Sequence, residues 1–187
     1  MKMLTAVAAL LLAGTAHAGV INYFTAFEPE GGGLRTGTGS ATASFDDTTN
    51  MFTFFATFSG LSGLTTQAHF HCCTTSPFSG AAGVAVDSPS LPITTGVSAG
   101  SFGAALDLDD FNNFSAGFIT ASGGLNQAIS RFVSGLNSGQ VYLNIHSSTF
   151  GGGEIRGFMR VPEPATAALT LVALAALGAV GRRRRGD

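Results

Sequence analysis

Met51-Phe52-Thr53-Phe54-Phe55-Ala56-Thr57-Phe58 is the stretch whose reading decides the fold. Phe52, Phe54, Ala56 and Phe58 fall on one side and Thr53 and Thr57 on the other, with Met51 and Phe55 as the departures. Side chains along a strand alternate with a period of two, so this octet reads as a half-buried β-strand. Working outward, residues 38–45 alternate small side chains with hydroxyls before Asp46-Asp47, a turn signal. Further strands are expected over 20–27, 66–71, 82–86, 115–120, 141–146 and 154–160, and the last two should form an antiparallel hairpin. Gly, Ser, Asp and Pro punctuate them at the short intervals of a sandwich or barrel. One segment departs from this period. Leu125, Ile129, Phe132, Val133 and Leu136 follow the i, i+4, i+7, i+8, i+11 spacing of a helix face, with Gly135 and Gly139 near its end.

Both ends of the chain look like processing signals. Lys2, the apolar run 4–12 and Ala16-His17-Ala18 form a signal peptide with its cleavage site, so mature protein should begin near Gly19. At the other end, Val161-Pro162-Glu163-Pro164 precedes an uncharged apolar run, 165–180, and then Arg182, Arg183, Arg184 and Arg185. About 16 residues at about 1.5 Å each reach about 24 Å, short of a bilayer core of about 30 Å. The arginines suit a cytoplasmic stop. The run reads as a transient anchor, with a permanent C-terminal anchor as the alternative.

Without these segments the composition changes. The mean hydropathy of +0.34 comes largely from the two ends. Between residues 19 and 160 stand four arginines (Arg35, Arg131, Arg156, Arg160), no lysine and nine carboxylates, a net charge near −5. Neutralising phosphates requires clustered cations, so a nucleic-acid partner is excluded. The length, about 140 residues, is that of one ordinary domain with a real core. That core is rich in phenylalanine and has no tryptophan.

Two resemblances follow from these residues. The Pro162-Glu163-Pro164 element, apolar run and arginine cluster resemble the sorting tail of PEP-CTERM proteins. That implies signal peptidase and an exosortase as processing partners, transient inner-membrane anchoring, and a final place at the cell surface or outside the cell. The domain between the signals resembles the CHRD (chordin-type) family. The residues that carry this likeness are Phe27-Glu28-Pro29, Thr36-Gly37-Thr38-Gly39, Gly60-Leu61-Ser62-Gly63 leading to Ala68-His69-Phe70-His71, and Val141-Tyr142-Leu143-Asn144-Ile145-His146 followed by Gly153-Glu154-Ile155-Arg156-Gly157. The resemblance implies an immunoglobulin-like β fold, extracellular occurrence and no agreed catalytic role. The expected organisation is a signal peptide (1–18), a CHRD-type domain (19–160) and a sorting signal (161–187). The expected fold is an all-β, immunoglobulin-like antiparallel sandwich with one short helix before the C-terminal hairpin and a C-terminal hydrophobic, membrane-crossing helix.

The candidate site is His69, His71 and His146, which are the histidines of the domain. Residues i and i+2 of a strand share a face, so both imidazoles of His69-Phe70-His71 point the same way. A His-x-His strand with a third histidine suits copper or zinc, which neutral imidazole ligates. The likeness to the copper site of Cu,Zn superoxide dismutases stops there, because that two-metal site needs more histidines. The competing reading is a histidine cluster hydrogen-bonded within the sheet, for instance to Asn144 or Glu154. Cys72 and Cys73 allow a strained vicinal disulfide, a fourth metal ligand from Cys73, or free or intermolecular thiols. Glu154 and Arg156 are expected to be structural with Asn144 and Gly157, Arg156 bridging carbonyls or Glu154.

Two apparent motifs carry no chemistry. Gly96-Val97-Ser98-Ala99-Gly100 matches the nucleophile-elbow pattern, which works only on the strand-turn-helix of an α/β sheet. In Asp107-Leu108-Asp109-Asp110-Phe111-Asn112-Asn113, Phe111 and Phe118 occupy positions where an EF-hand requires ligands. The sequence thus predicts a secreted, surface-sorted, non-enzymatic domain of the envelope or extracellular matrix, with an extracellular polysaccharide or matrix protein as its candidate partner. The alternative is a copper- or zinc-binding surface protein.

Overall fold

Alternating burial builds the first three strands, in a computed structural model that describes residues 19–87 and 91–162. β1 (Val20–Pro29) buries Tyr23, Thr25 and Phe27, β2 (Thr38–Asp46) buries Ala41, Ala43 and Phe45, and β3 (Met51–Ser59) buries Phe52, Phe54, Ala56 and Phe58. They form an antiparallel meander whose register sets Phe27 against Gly39 and Phe45 against Phe52. β4 (Thr65–His71), β5 (Val84–Val86), β6 (Gly100–Asp107), β7 (Tyr142–Ser147) and β8 (Ile155–Phe158) complete one continuous antiparallel sheet. Its order is β5-β4-β7-β8-β1-β2-β3-β6.

The sheet curls so that its two halves face each other, which is the expected sandwich. Four strands separate β3 from β4 in the sheet, yet Phe70 of β4 packs edge-on against Phe52 and Phe54 of β3, with ring centroids 5.3 and 5.2 Å apart. Phe132 closes the end of this aromatic stack, 5.4 Å from Phe52. Edge-to-face pairs of this kind add about 0.5–1.5 kcal/mol to the burial of each ring.

Phe132 comes from α2 (Leu125–Asn137), the helix expected from the spacing of its apolar residues, whose buried residues include Ala128, Ile129 and Leu136. It also buries Gly135. A Cβ there would lie 2.7 Å from Cys73 Sγ and 2.9 Å from Cys72 Sγ, so the close approach of the cysteine sulfurs requires glycine.

Two elements differ from the sequence-based expectation. Residues 115–120 are not a strand: Ser115 caps α1 (Ala116–Ser122), so among the described residues two α-helices rather than one precede the C-terminal hairpin. The Ser115 hydroxyl accepts from the Phe118 amide at 3.2 Å, and Gly123 ends the helix at φ 91°. These caps outweigh a six-residue stretch with too few apolar side chains to alternate. β6 was not expected. Phe102 and Leu106 are buried in it, but glycine and alanine mask the alternation, and Gly103 lies against β3 where a Cβ would meet the Phe54 carbonyl at 2.5 Å. Among the described residues no helix is long and apolar enough to cross a membrane. The expected signal peptide and the apolar run 165–180 lie outside the described residues.

Candidate functional site

Pairing of β4, β7 and β8 decides which side chains meet. His69 lies opposite Asn144, His71 opposite Tyr142 and Gln67 opposite His146, while Asn144 in turn faces Arg156. Directly paired residues share a face, so His69, His71, Tyr142, Asn144, His146 and Arg156 form one polar surface, and Phe70, Leu143 and Ile145 point into the core. This surface is nevertheless mostly buried, with His69 and His146 each 6% exposed and Asn144 1%. Loop backbone approaches it at Gly80, Ala82 and Gly151, and Asp87 follows β5.

The sheet brings all three predicted histidines together. One nitrogen from each ring lies within 4.8 Å of the other two. His69 Nδ1 is 3.1 Å from His146 Nε2. The opposite nitrogen of each ring meets an oxygen: His69 Nε2 lies 3.0 Å from Asp87 Oδ1, His71 Nδ1 2.9 Å from the Ala82 carbonyl, and His146 Nδ1 2.8 Å from the Gly151 carbonyl. His71 also stacks on Tyr142, 4.7 Å away and nearly parallel. Burial pushes the His71 imidazole down to about 4, against a smaller upward pull from the Ala82 carbonyl. Burial also lowers His69, reinforced by His146 and opposed by the Asp87 carboxylate. Both shifts favour the neutral ring.

The hairpin motif builds a second network beside the first. Arg156 Nη1 donates to the Gly80 carbonyl at 2.8 Å and to Glu30 Oε1 at 3.3 Å. Its guanidinium lies over Tyr142 and Phe158, 5.1 and 5.3 Å from their centroids. Asn144 Nδ2 donates to Glu30 Oε2. Burial raises Glu30 above the usual carboxylate range, opposed by Arg156, His146 and Arg35. The expected carbonyl contact of Arg156 is present, but its carboxylate is Glu30 rather than Glu154. Glu154 precedes β8 and turns away, accepting from the Ser62 amide and hydroxyl and from the Gly63 amide. Burial pushes Glu154 up, yet the donors of Ser147, Ser62 and Gly63 together hold it below the usual range. Gly157 packs against β1, where a Cβ would meet the Ala26 carbonyl at 2.6 Å.

Cys73 does not join the histidines. β4 ends at His71, so the alternation that would have placed Cys73 beside them stops, and Cys73 Sγ lies 3.4 Å from the Arg131 carbonyl on α2. Cys72 and Cys73 form a vicinal disulfide across a cis peptide bond. The Gly96–Gly100 motif forms no elbow either: its backbone pairs with Leu61 and Thr65, and Gly100 opens β6. In the acidic stretch, Asp107 and Asp110 accept from the amides of Asp109 and Asn112 within their own turn. Of the sorting residues, Pro162 is described, while Glu163, Pro164 and Arg182 to Arg185 lie outside the described residues.

Sequence reasoning missed Glu30, Asp87 and the carbonyls of Ala82 and Gly151. Glu30 and Asp87 carry no local pattern, and the carbonyls are backbone atoms that only the loop conformation brings to the imidazoles.

The CHRD domain family matches residues 26–159, most of the chain. The chain belongs to the CHRD domain family. The match covers every strand but the first residues of β1, and CHRD is a non-catalytic domain family. A PEP-CTERM protein-sorting motif matches residues 160–185, directly after the CHRD domain. That motif implies processing by an exosortase, with export and transient membrane anchoring before surface or extracellular placement. No curated protein and no solved structure matches the chain.

Proposed function

We propose that this CHRD protein serves as a non-enzymatic domain of the cell envelope or extracellular matrix. The observation that carries the reading is the sorting motif at 160–185 joined without a gap to a CHRD domain. In this reading residues 1–18 are removed by signal peptidase, 19–160 are the working domain and 161–187 the sorting signal. A structural or binding role is supported by how the polar side chains are used: Glu154, Arg156 and Asn144 are all engaged inside the fold. A polysaccharide or matrix protein would meet a mildly acidic surface with solvent-facing rings at Phe24 and Phe78, each 45% exposed. Arg160 lies over the Phe78 ring, 4.1 Å from its centroid. Aromatic and guanidinium planes offer sugar rings and acidic groups flat, polar-edged contacts.

The test is localisation in a host with an exosortase, compared with the same host lacking it. Surface or medium fractions should contain the protein only when the exosortase is present, and its loss should leave the protein in the inner membrane. Equal surface display in both hosts would overturn the sorting claim.

A further inference from the structure

Each imidazole of the cluster has one nitrogen committed to an oxygen, and this fixes what the other can do. A carbonyl oxygen only accepts, so His146 Nδ1 and His71 Nδ1 carry hydrogens, and in the neutral tautomer this leaves a lone pair on Nε2 of each ring. Neutral His69 donates from Nε2 to Asp87, which leaves its Nδ1 as a lone pair. His69 Nδ1 and His146 Nε2 are then two lone pairs 3.1 Å apart. They repel unless a positive charge lies between them.

A proton could serve that pair, but it would do nothing for the third ring. His71 Nε2 is buried with no hydrogen-bond partner, one of two such side-chain atoms among the described residues. The other is Asn144 Oδ1, an acceptor on the same polar face. A metal ion answers all three lone pairs together, and water on that ion would offer donors to acceptors nearby. The outer contacts match as well. Histidines that ligate metals usually donate their other N–H to a carboxylate or a backbone carbonyl, and here the three partners are Asp87, Ala82 and Gly151.

We infer that His69 Nδ1, His71 Nε2 and His146 Nε2 form a mononuclear site for zinc or copper(II), with the Asp87 carboxylate orienting His69. The inference stands apart from the sorting and matrix reading. Imidazole donors select borderline ions of this kind over magnesium or calcium. Ligand distances of about 2.0–2.1 Å place neighbouring nitrogens about 3.3 Å apart in a tetrahedral site. The His69–His146 separation already has that scale, and a pair as far apart as 4.8 Å has to close by about 1.5 Å. Three protein ligands leave a position for water.

The experiment uses secreted protein carrying no histidine tag, stripped with chelator, loaded with zinc or copper(II) and dialysed. One equivalent of either metal should remain, and the copper form should give an electron paramagnetic resonance spectrum with nitrogen couplings. His71→Ala should abolish retention. Asp87→Asn should weaken affinity about 10–100-fold while leaving the metal-free melting temperature close to wild type. Should His71→Ala fail to fold, Asp87→Asn carries the test, since the Asp87 side chain is 45% exposed. Folded wild type that retains no stoichiometric metal would overturn the proposal and leave a shared proton between His69 and His146. Retention unchanged in both variants would overturn it equally.

Discussion

Arg156 shows how much one side chain holds in place here. Its guanidinium reaches the Gly80 carbonyl and Glu30 and covers Tyr142 and Phe158, tying a loop, the end of β1 and the hairpin together. Lysine would keep the charge but lose the planar fork that meets several acceptors at once. Arg156→Lys should therefore lower the melting temperature, and Arg156→Ala should lower it further, by about 1–3 kcal/mol of stability, because Glu30 is left without its cation. Thermal unfolding of the three proteins checks this ordering. Unchanged stability in Arg156→Ala, with loss of a binding activity, would move Arg156 from structure to function. The carbonyl contact was readable from the residue type and its motif. The choice of Glu30 over Glu154 was not, because it depends on where the strand begins and on the return of β1.

At the scale of elements, Glu154 fastens the 60–63 loop to the start of β8. Its carboxylate receives donors from Ser62 and Gly63, and these hold its pKa below that of the unfolded chain. A carboxylate depressed in the folded state binds fewer protons there than in the unfolded state. Its contribution is therefore present above about pH 4.5 and lost as pH falls through the lower folded value. Glu154→Gln should be less stable than wild type at pH 7, and the gap should narrow at pH 3, as melting temperatures at the two pH values would show. A gap independent of pH would mean that shape rather than charge fixes the loop. The same scale shows why strands were legible and α1 was not. Residues 51–58 alternate over eight positions, with a buried phenylalanine or alanine at every second one. Residues 115–120 offer one buried side chain, Phe118, so the capping atoms of Ser115 and Gly123 decide the conformation.

The whole molecule joins a phenylalanine-centred CHRD domain to a C-terminal sorting motif, and the domain's three histidines converge only because β4 and β7 pair. The shared face of His69 and His71 follows from their spacing alone. The approach of His146, 75 residues further on from His71, needed the β4–β7 register, and Asp87 needed the pairing of β5 with β4. Cys73 was misplaced because nothing in the local sequence marks the end of β4. The central claim, an exported CHRD protein delivered by its C-terminal signal, is tested most directly by the intact mass of the surface form from a host with the matching exosortase. The account predicts a species that begins near Gly19 and lacks most of the chain after Pro164. A surface form that still carries Arg182 to Arg185 would contradict it.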